Sequence, residues 1–230
     1  MSHEPHFDKS STWNYENGFY LTSAIARLGK TLNQYELYKK IVPLPGEVLE
    51  FGVYKGASMA KLLTFRAILE TESSRGIIGF DAFGKFPQSG VESADDRDFI
   101  DQFEAEGGEG FRRSEIEGYL DTKGFGNYEL LAGDVRSTLP GLLRDRPELR
   151  VSLLHLDLDV YEPTAEVLRM LENRLVPGAL IMVDDYASVG GATLAVDEFC
   201  QRHHLRVEKL TMSHTPAFIM WRGQGAALTS

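Results

Sequence analysis

Apolar residues along this chain follow two patterns, short continuous runs and longer stretches at helical spacing. The runs at 48–53, 76–80, 128–132, 151–156 and 179–183 have the length and unbroken character of strands buried on both faces of a parallel sheet. Residues 21–42 repeat apolar side chains at Ile25, Leu28, Leu32, Tyr35, Leu37, Tyr38 and Ile41, which predicts one or two helices stopped by Pro43 and Pro45. A further helix is predicted over 58–70. The last runs, 207–212 and 217–221, with Thr215-Pro216 in the turn between them, predict a closing antiparallel pair. Strands alternating with helices in this way specify an α/β fold with a seven-stranded, mostly parallel sheet and helices on both faces. Residues 1 to 20 are polar with clustered rings (Trp13, Tyr15, Phe19, Tyr20), so part of this arm is expected to pack on the body.

A chain of 230 residues fits one such domain with appendages. We divide it into an N-terminal arm with helices (1–45, for a lid or oligomer contacts) and an α/β domain (46–230) carrying an acidic, glycine-bearing insertion at about 88–127. Hydrophobic content of 43% and charge content of 25% are ordinary for a soluble protein. The formal charge of -10 argues against a nucleic-acid partner, because phosphate binding wants a basic surface. Cys200 is the single cysteine, which excludes an internal disulfide and a thiolate zinc cluster. The first residues contain no apolar stretch of the signal-peptide kind, and no run approaches a membrane span. The expectation is a cytoplasmic protein with no membrane partner, and the aromatic-rich arm favours a homo-oligomer.

The chemistry concentrates after two of the runs. The first, 151–156, leads into Asp157 and Asp159; the second, 179–183, leads into Asp184 and Asp185. Parallel neighbours joined by a helix place their carboxyl ends on one rim, where open α/β sheets bind ligands. Four carboxylates crowded there repel one another and need a cation or a shared proton. A single aspartate at a strand end commonly just caps the next helix. A group of four on one rim exceeds what capping requires. The order Glu50-Phe-Gly-Val-Tyr-Lys-Gly puts Gly52 and Gly56 in a strand-to-helix turn. That spacing is not the dinucleotide G-x-G-x-x-G, since Tyr54 stands where a glycine belongs. It matches S-adenosylmethionine sites of the Rossmann-like class, although a plain βα turn would look similar. Asp81, at the end of the second run, can take both hydroxyls of a ribose. Asp134 either meets an adenine edge or caps the following helix. His155 lies inside a buried run and reads as a core histidine, and Arg112-Arg113 as a surface pair or an anion clamp.

With these residues together, the sequence resembles the macrocin O-methyltransferase family, metal-dependent sugar O-methyltransferases of antibiotic biosynthesis that use S-adenosylmethionine. The likeness rests on NQYELYKKI, LEFGVYKGASM, GFDAFGKFP, LLHLDLDVYEPT, PGALIMVDDY and AVDEF. It implies the class I methyltransferase fold, with Asp157, Asp184 and Asp185 as ligands of a magnesium ion and Asp159 as the general base. It implies that Glu50, Gly52, Tyr54, Gly56 and Ser58 take the methionine part of the cofactor. Asp81 would take the ribose and Asp134 the adenine end, with Phe83, Gly133 and Asp157 completing the set. Oxygen ligands without thiolate or imidazole favour magnesium over zinc.

Other readings remain at this point. A haloacid-dehalogenase-like phosphatase also pairs a D-x-D strand with a later aspartate pair, but wants the D-x-D on its first strand. A nicotinamide dehydrogenase leaves the four aspartates unexplained, and a non-catalytic scaffold on the same fold is a third rival. For the acceptor, a nucleotide-activated (dTDP) deoxysugar competes with an already glycosylated, macrolide-type product. The former would want cations for its diphosphate, for which Arg112, Arg113 and Lys85 are candidates.

Overall fold

A computed structural model of the chain describes residues 7–88 and 90–223. Helices α1 (Thr12–Thr22) and α2 (Ile25–Ile41) lead into β1 (Glu47–Phe51), α3 (Ala57–Leu69) and β2 (Ile77–Asp81). Then come α4 (Ala94–Gly107), α5 (Arg113–Thr122), β3 (Tyr128–Ala132), α6 (Val135–Asp145) and β4 (Val151–Leu156). The chain finishes with α7 (Tyr161–Leu171), β5 (Leu175–Val183), α8 (Gly190–His203), β6 (Val207–Glu208) and β7 (Ala217–Met220). One seven-stranded sheet forms in the order β3-β2-β1-β4-β5-β7-β6. Its first five strands are parallel, β7 runs antiparallel to β5, and β6 antiparallel to β7.

The unbroken apolar runs become central strands because alternate residues feed two separate cores. Leu49, Phe51, Leu154, Leu156, Ile181 and Val183 join Leu139, Val167, Leu171 and Phe199 from α6, α7 and α8. Val48, Leu153, Leu180 and Met182 join Leu37, Tyr38 and Ile41 of α2 and Met59, Leu62 and Leu63 of α3. Each fully buried side chain of this kind contributes roughly 1.5–3 kcal/mol. Strands β1 and β4 lie side by side at the centre, with β2 and β3 to one side and β5 to the other. At this reversal of strand order a crevice opens beyond the carboxyl ends.

One detail departs from the sequence reading and a second refines it. The run at 207–212 is a strand only over Val207–Glu208. Beyond it the chain leaves the sheet: Leu210 packs into the core under α2 and α3, and the Ser213 and Thr215 carbonyls accept hydrogen bonds from Asn33 Nδ2 on α2 (2.9 and 3.2 Å). The aromatic arm packs on the body only in part, and the rings of α1 are not the part that does. Helix α1 has no buried residue, with Trp13 76% and Tyr20 64% exposed. Its rings fall on opposite sides of the helix, Trp13 and Tyr20 on one and Tyr15 and Phe19 on the other, so no single face can bury them all. Phe7, ahead of the helix, is the ring that reaches the body, against Phe111 and Tyr119. No described helix is long and apolar enough to cross a membrane.

Candidate active site

Strand β1 turns into α3 through Gly52 and Gly56. Gly52 has φ 92°, and a Cβ there would stand 1.8 Å from the Asp157 carbonyl oxygen, so only glycine lets the ends of β1 and β4 close on each other. Around this turn Tyr54 (φ 52°), Phe83 (φ 54°) and Asp159 (φ 63°) take the left-handed conformation without being glycine. Such residues cost about 1–3 kcal/mol each and gather where structure serves a ligand. Asp81 braces the turn: its carboxylate accepts hydrogen bonds from the backbone N–H groups of Val53 (2.9 Å), Tyr54 (2.8 Å) and Phe83 (2.6 Å).

Beyond these strand ends lies a cavity of about 370 Å³. Gly52, Tyr54, Asp81, Gly133, Asp134, Asp157, Asp159, Asp184 and Asp185 all line it, brought from five parallel strands to one place. Arg27 and Lys30 of α2, Phe103 and Glu104 of α4, and Lys85 and Phe86 complete much of the wall. Four of the expected cofactor residues stand behind the wall. Glu50 is fully buried and accepts a hydrogen bond from Ser58 Oγ. Gly56 faces Ile116, and Phe83 packs into the core beside α2 and α3. These residues shape the turn from within.

The carboxylates are electrostatically unlike one another. Burial, then repulsion from Asp184 and Asp185, raises the Asp157 carboxyl well above its ordinary range. Burial and the charges of Asp157 and Asp184 push Asp159 up to about 7. Burial with the charges of Asp159 and Asp184 pushes Asp185 up to about 8. Asp184 moves the other way: burial opposes its ionisation, but His155 and Lys30 outweigh that and hold it below the usual carboxylate range. Lys30 Nζ donates to Asp184 Oδ2, while His155 Nε2 lies 3.5 Å from Asp184 Oδ1. The other ring nitrogen of His155 lies 3.4 Å from Glu50 Oε1. Burial works against the imidazolium, yet these two carboxylates raise it to about 10. His155 is thus a fully buried link between Glu50 and Asp184.

Asp157, Asp159 and Asp185 offer ligand oxygens within 4.8 Å of one another, and His155, Asp157 and Asp184 form a second such group. The first group, all hard oxygen donors under mutual repulsion, fits a divalent cation of the magnesium type; the second includes an imidazole. Asp134 does cap a helix: it accepts from the Arg136 backbone N–H (2.9 Å) and pairs with the Arg136 guanidinium. That hydrogen bonding lowers its carboxyl below the ordinary value despite partial burial. Arg112 caps α5 and Arg113 pairs with Glu117 (2.7 Å); neither lines the cavity, which corrects their candidacy for a diphosphate. Lys85 does line it, paired with Glu109 at 3.8 Å. Sequence reasoning missed Arg27 and Lys30. The available signal was polar Asn33 and Gln34 recurring one turn after Lys30 on the apolar face of α2, where both are buried.

The profile of the macrocin O-methyltransferase family (TylF) matches residues 28–222, which takes in the glycine turn and all four rim aspartates. The chain belongs to that family. With it go S-adenosylmethionine dependence and O-methyl transfer, and the D-x-D on the fourth strand leaves no place for the phosphatase topology. Among relatives, a rhamnosyl-tetracenomycin C 4'-O-methyltransferase of Streptomyces olivaceus is 30% identical over 200 residues, covering 81% of this chain and 69% of that one. Mycinamicin III 3''-O-methyltransferase of Micromonospora griseorubida is 29% identical over 187 residues, covering 78% and 69%. Among solved structures, the TDP-rhamnose 3'-O-methyltransferase CalS11 of calicheamicin biosynthesis superposes with a TM-score of 0.66 at 26% identity, covering 93% of this chain and 88% of that one.

Proposed function

We propose that this family member methylates a hydroxyl of a deoxysugar carried on a nucleoside diphosphate such as dTDP, in a magnesium-dependent reaction of natural-product biosynthesis. One observation carries the reading: the four aspartates and the glycine turn open into the same cavity. The cavity floor at Gly52, Asp81 and Gly133 is where the cofactor's methionine, ribose and adenine parts would lie, in that order along the strand ends. Asp157, Asp184 and Asp185 would hold the magnesium ion, which when bound supplies Lewis acidity toward a sugar hydroxyl and lowers its pKa. Asp159 is set beside this group by its left-handed backbone, and at about pH 7 it is poised to accept a proton. With the cofactor bound, Asp159 would remove the hydroxyl proton, and the methyl gained by the acceptor oxygen would be lost from the sulfonium sulfur, leaving S-adenosylhomocysteine. Alignment of oxygen, carbon and sulfur within the cavity would supply much of the remaining acceleration.

Two things support the nucleotide sugar: Arg27 and Lys85 at the cavity wall, and the TDP-rhamnose on which CalS11 acts. The names of the tetracenomycin and mycinamicin relatives favour a second reading, methylation after glycosyl transfer. We also place the protein as a homo-oligomer. The deciding experiment incubates the protein with S-adenosylmethionine and TDP-rhamnose, in magnesium and in EDTA, and follows methyl gain by mass spectrometry. Methylation in magnesium alone is expected. Methyl gain only on a rhamnosylated aglycone would transfer the assignment to the second reading, and equal gain in EDTA would remove the cation from the mechanism.

A further inference from the structure

Lys30 reaches the rim because α2 is held close to the β6–β7 connection. Gly29 lies so near Met212 that a Cβ would meet its carbonyl oxygen at 2.4 Å. Asn33, one turn on, fastens the same face to the Ser213 and Thr215 carbonyls. Lys30 is thereby carried over the end of β5, where its ammonium donates to Asp184 Oδ2. The second oxygen of that carboxylate, Oδ1, faces His155. Asp184 thus carries an ion pair to Lys30 on Oδ2, while its buried Oδ1 has no hydrogen-bond partner among the described residues and faces His155 Nε2 at 3.5 Å.

A divalent cation on Asp184 would set its charge against the Lys30 ammonium at the same carboxylate, so the more mobile of the two side chains around Asp184 would give way. His155 is fixed in β4, wholly buried, with its other nitrogen turned to Glu50. Lys30 is free to move: its side chain is 24% exposed, lines the open cavity and ends a flexible four-carbon stem.

We propose that Lys30 is a built-in counter-ion of the cation site: its ammonium holds Asp184 until a divalent cation takes that carboxylate, so ion pair and cation exclude each other. The inference rests on the cation-dependent reading above and deepens it. It makes α2 a working part of the site, and it gives the crowded rim a compensating charge before the cation arrives. Asn33 stays bonded to the Ser213 and Thr215 carbonyls throughout, so α2 keeps its seat while the lysine swings into the cavity.

The test uses manganese as a spectroscopic stand-in for magnesium and the full chain. Lys30→Met keeps the stem and removes the charge. It is expected to bind Mn²⁺ at least about tenfold more tightly than the unaltered protein, because a competing cation is gone from a low-dielectric site. In EDTA the same variant is expected to melt at a lower temperature, and the difference closes at saturating Mn²⁺. Lys30→Arg, which restores the charge, is expected to bring Mn²⁺ affinity back toward that of the unaltered protein. A measurement on the unaltered protein makes the proposal independent of any variant's folding: amine-reactive labelling of Lys30, read by mass spectrometry, is expected to be faster in Mn²⁺ than in EDTA. Unchanged labelling, or equal or weaker Mn²⁺ binding by Lys30→Met, overturns the counter-ion role alone. Failure of the unaltered protein to bind Mn²⁺ at all overturns the cation-dependent reading and this inference together.

Discussion

Asp159 differs from its neighbours in both backbone and charge, with φ 63° and a carboxyl raised to about 7 by burial and by Asp157 and Asp184. If it is the base, Asp159→Asn keeps shape and removes proton affinity. The variant should lose about 10²–10⁴ in kcat while its affinity for S-adenosylhomocysteine, measured by calorimetry, stays near that of the parent. A kcat within a fewfold of the parent would reassign the base. Cys200 offers a contrasting case. Burial, then the charge of Asp197, pushes its thiol up to about 11, so the nucleophilic thiolate is scarce at pH 8. Native protein should react with a disulfide reagent at that pH far more slowly than protein unfolded in urea; equal rates would contradict its burial. The aspartates could be read from sequence because they stand in close pairs, one D-x-D and one D-D, at the ends of apolar runs. Lys30 could not, because its partner lies 154 residues away and only the docking of α2 brings the two together.

At the scale of elements, the turn between β1 and α3 controls how the two halves of the sheet meet. A methyl group at residue 52 must displace the Asp157 carbonyl, and the positive φ adds strain for any L side chain. Gly52→Ala should therefore lower stability by several kcal/mol (about 1–3 from each of overpacking and backbone strain) and weaken S-adenosylhomocysteine binding in step. Denaturant melts and calorimetry would check this, and an unaltered melt would mean that the turn can relax. The five parallel strands were legible because burial on both faces demands unbroken apolar runs, a pattern that short helices seldom imitate. The shortened β6 was not. Val207, Leu210 and Met212 suggest a strand over 207–212, but the chain leaves the sheet after Glu208 and the Ser213 and Thr215 carbonyls bond to Asn33 of α2, a tertiary demand that no local pattern carries. The packing around helix α1 was legible only in part. Phe7 ahead of it meets the body as expected, but the rings of α1 itself are spread around the helix, so the body cannot cover them together.

For the whole molecule, the same exposed rings carry the oligomer proposal. Leu21 and Ile25, at the joint between α1 and α2, are 82% and 91% exposed, and Trp13, Tyr20, Leu28 and Leu32 add to the apolar surface of these helices. So many exposed apolar side chains on two neighbouring helices favour an association face. A stable interface buries about 800 Å² per partner, and each Å² of apolar area is worth roughly 25 cal/mol before the cost of association. Two copies meeting through α1 and the start of α2 would bury side chains that make few contacts within their own chain. Light scattering should therefore give a mass that is a multiple of 25.7 kDa. The double variant Leu21→Glu, Ile25→Glu should return it to the monomer with little change in the melting of the α/β body, because neither side chain belongs to either core. A monomeric parent at working concentration would refute the proposal. A variant that stays associated would move the interface elsewhere. The outcome also bears on the cavity, since α2 carries Arg27 and Lys30 on the same helix as Ile25: an interface built on its first turn would steady the two cations that face the acceptor.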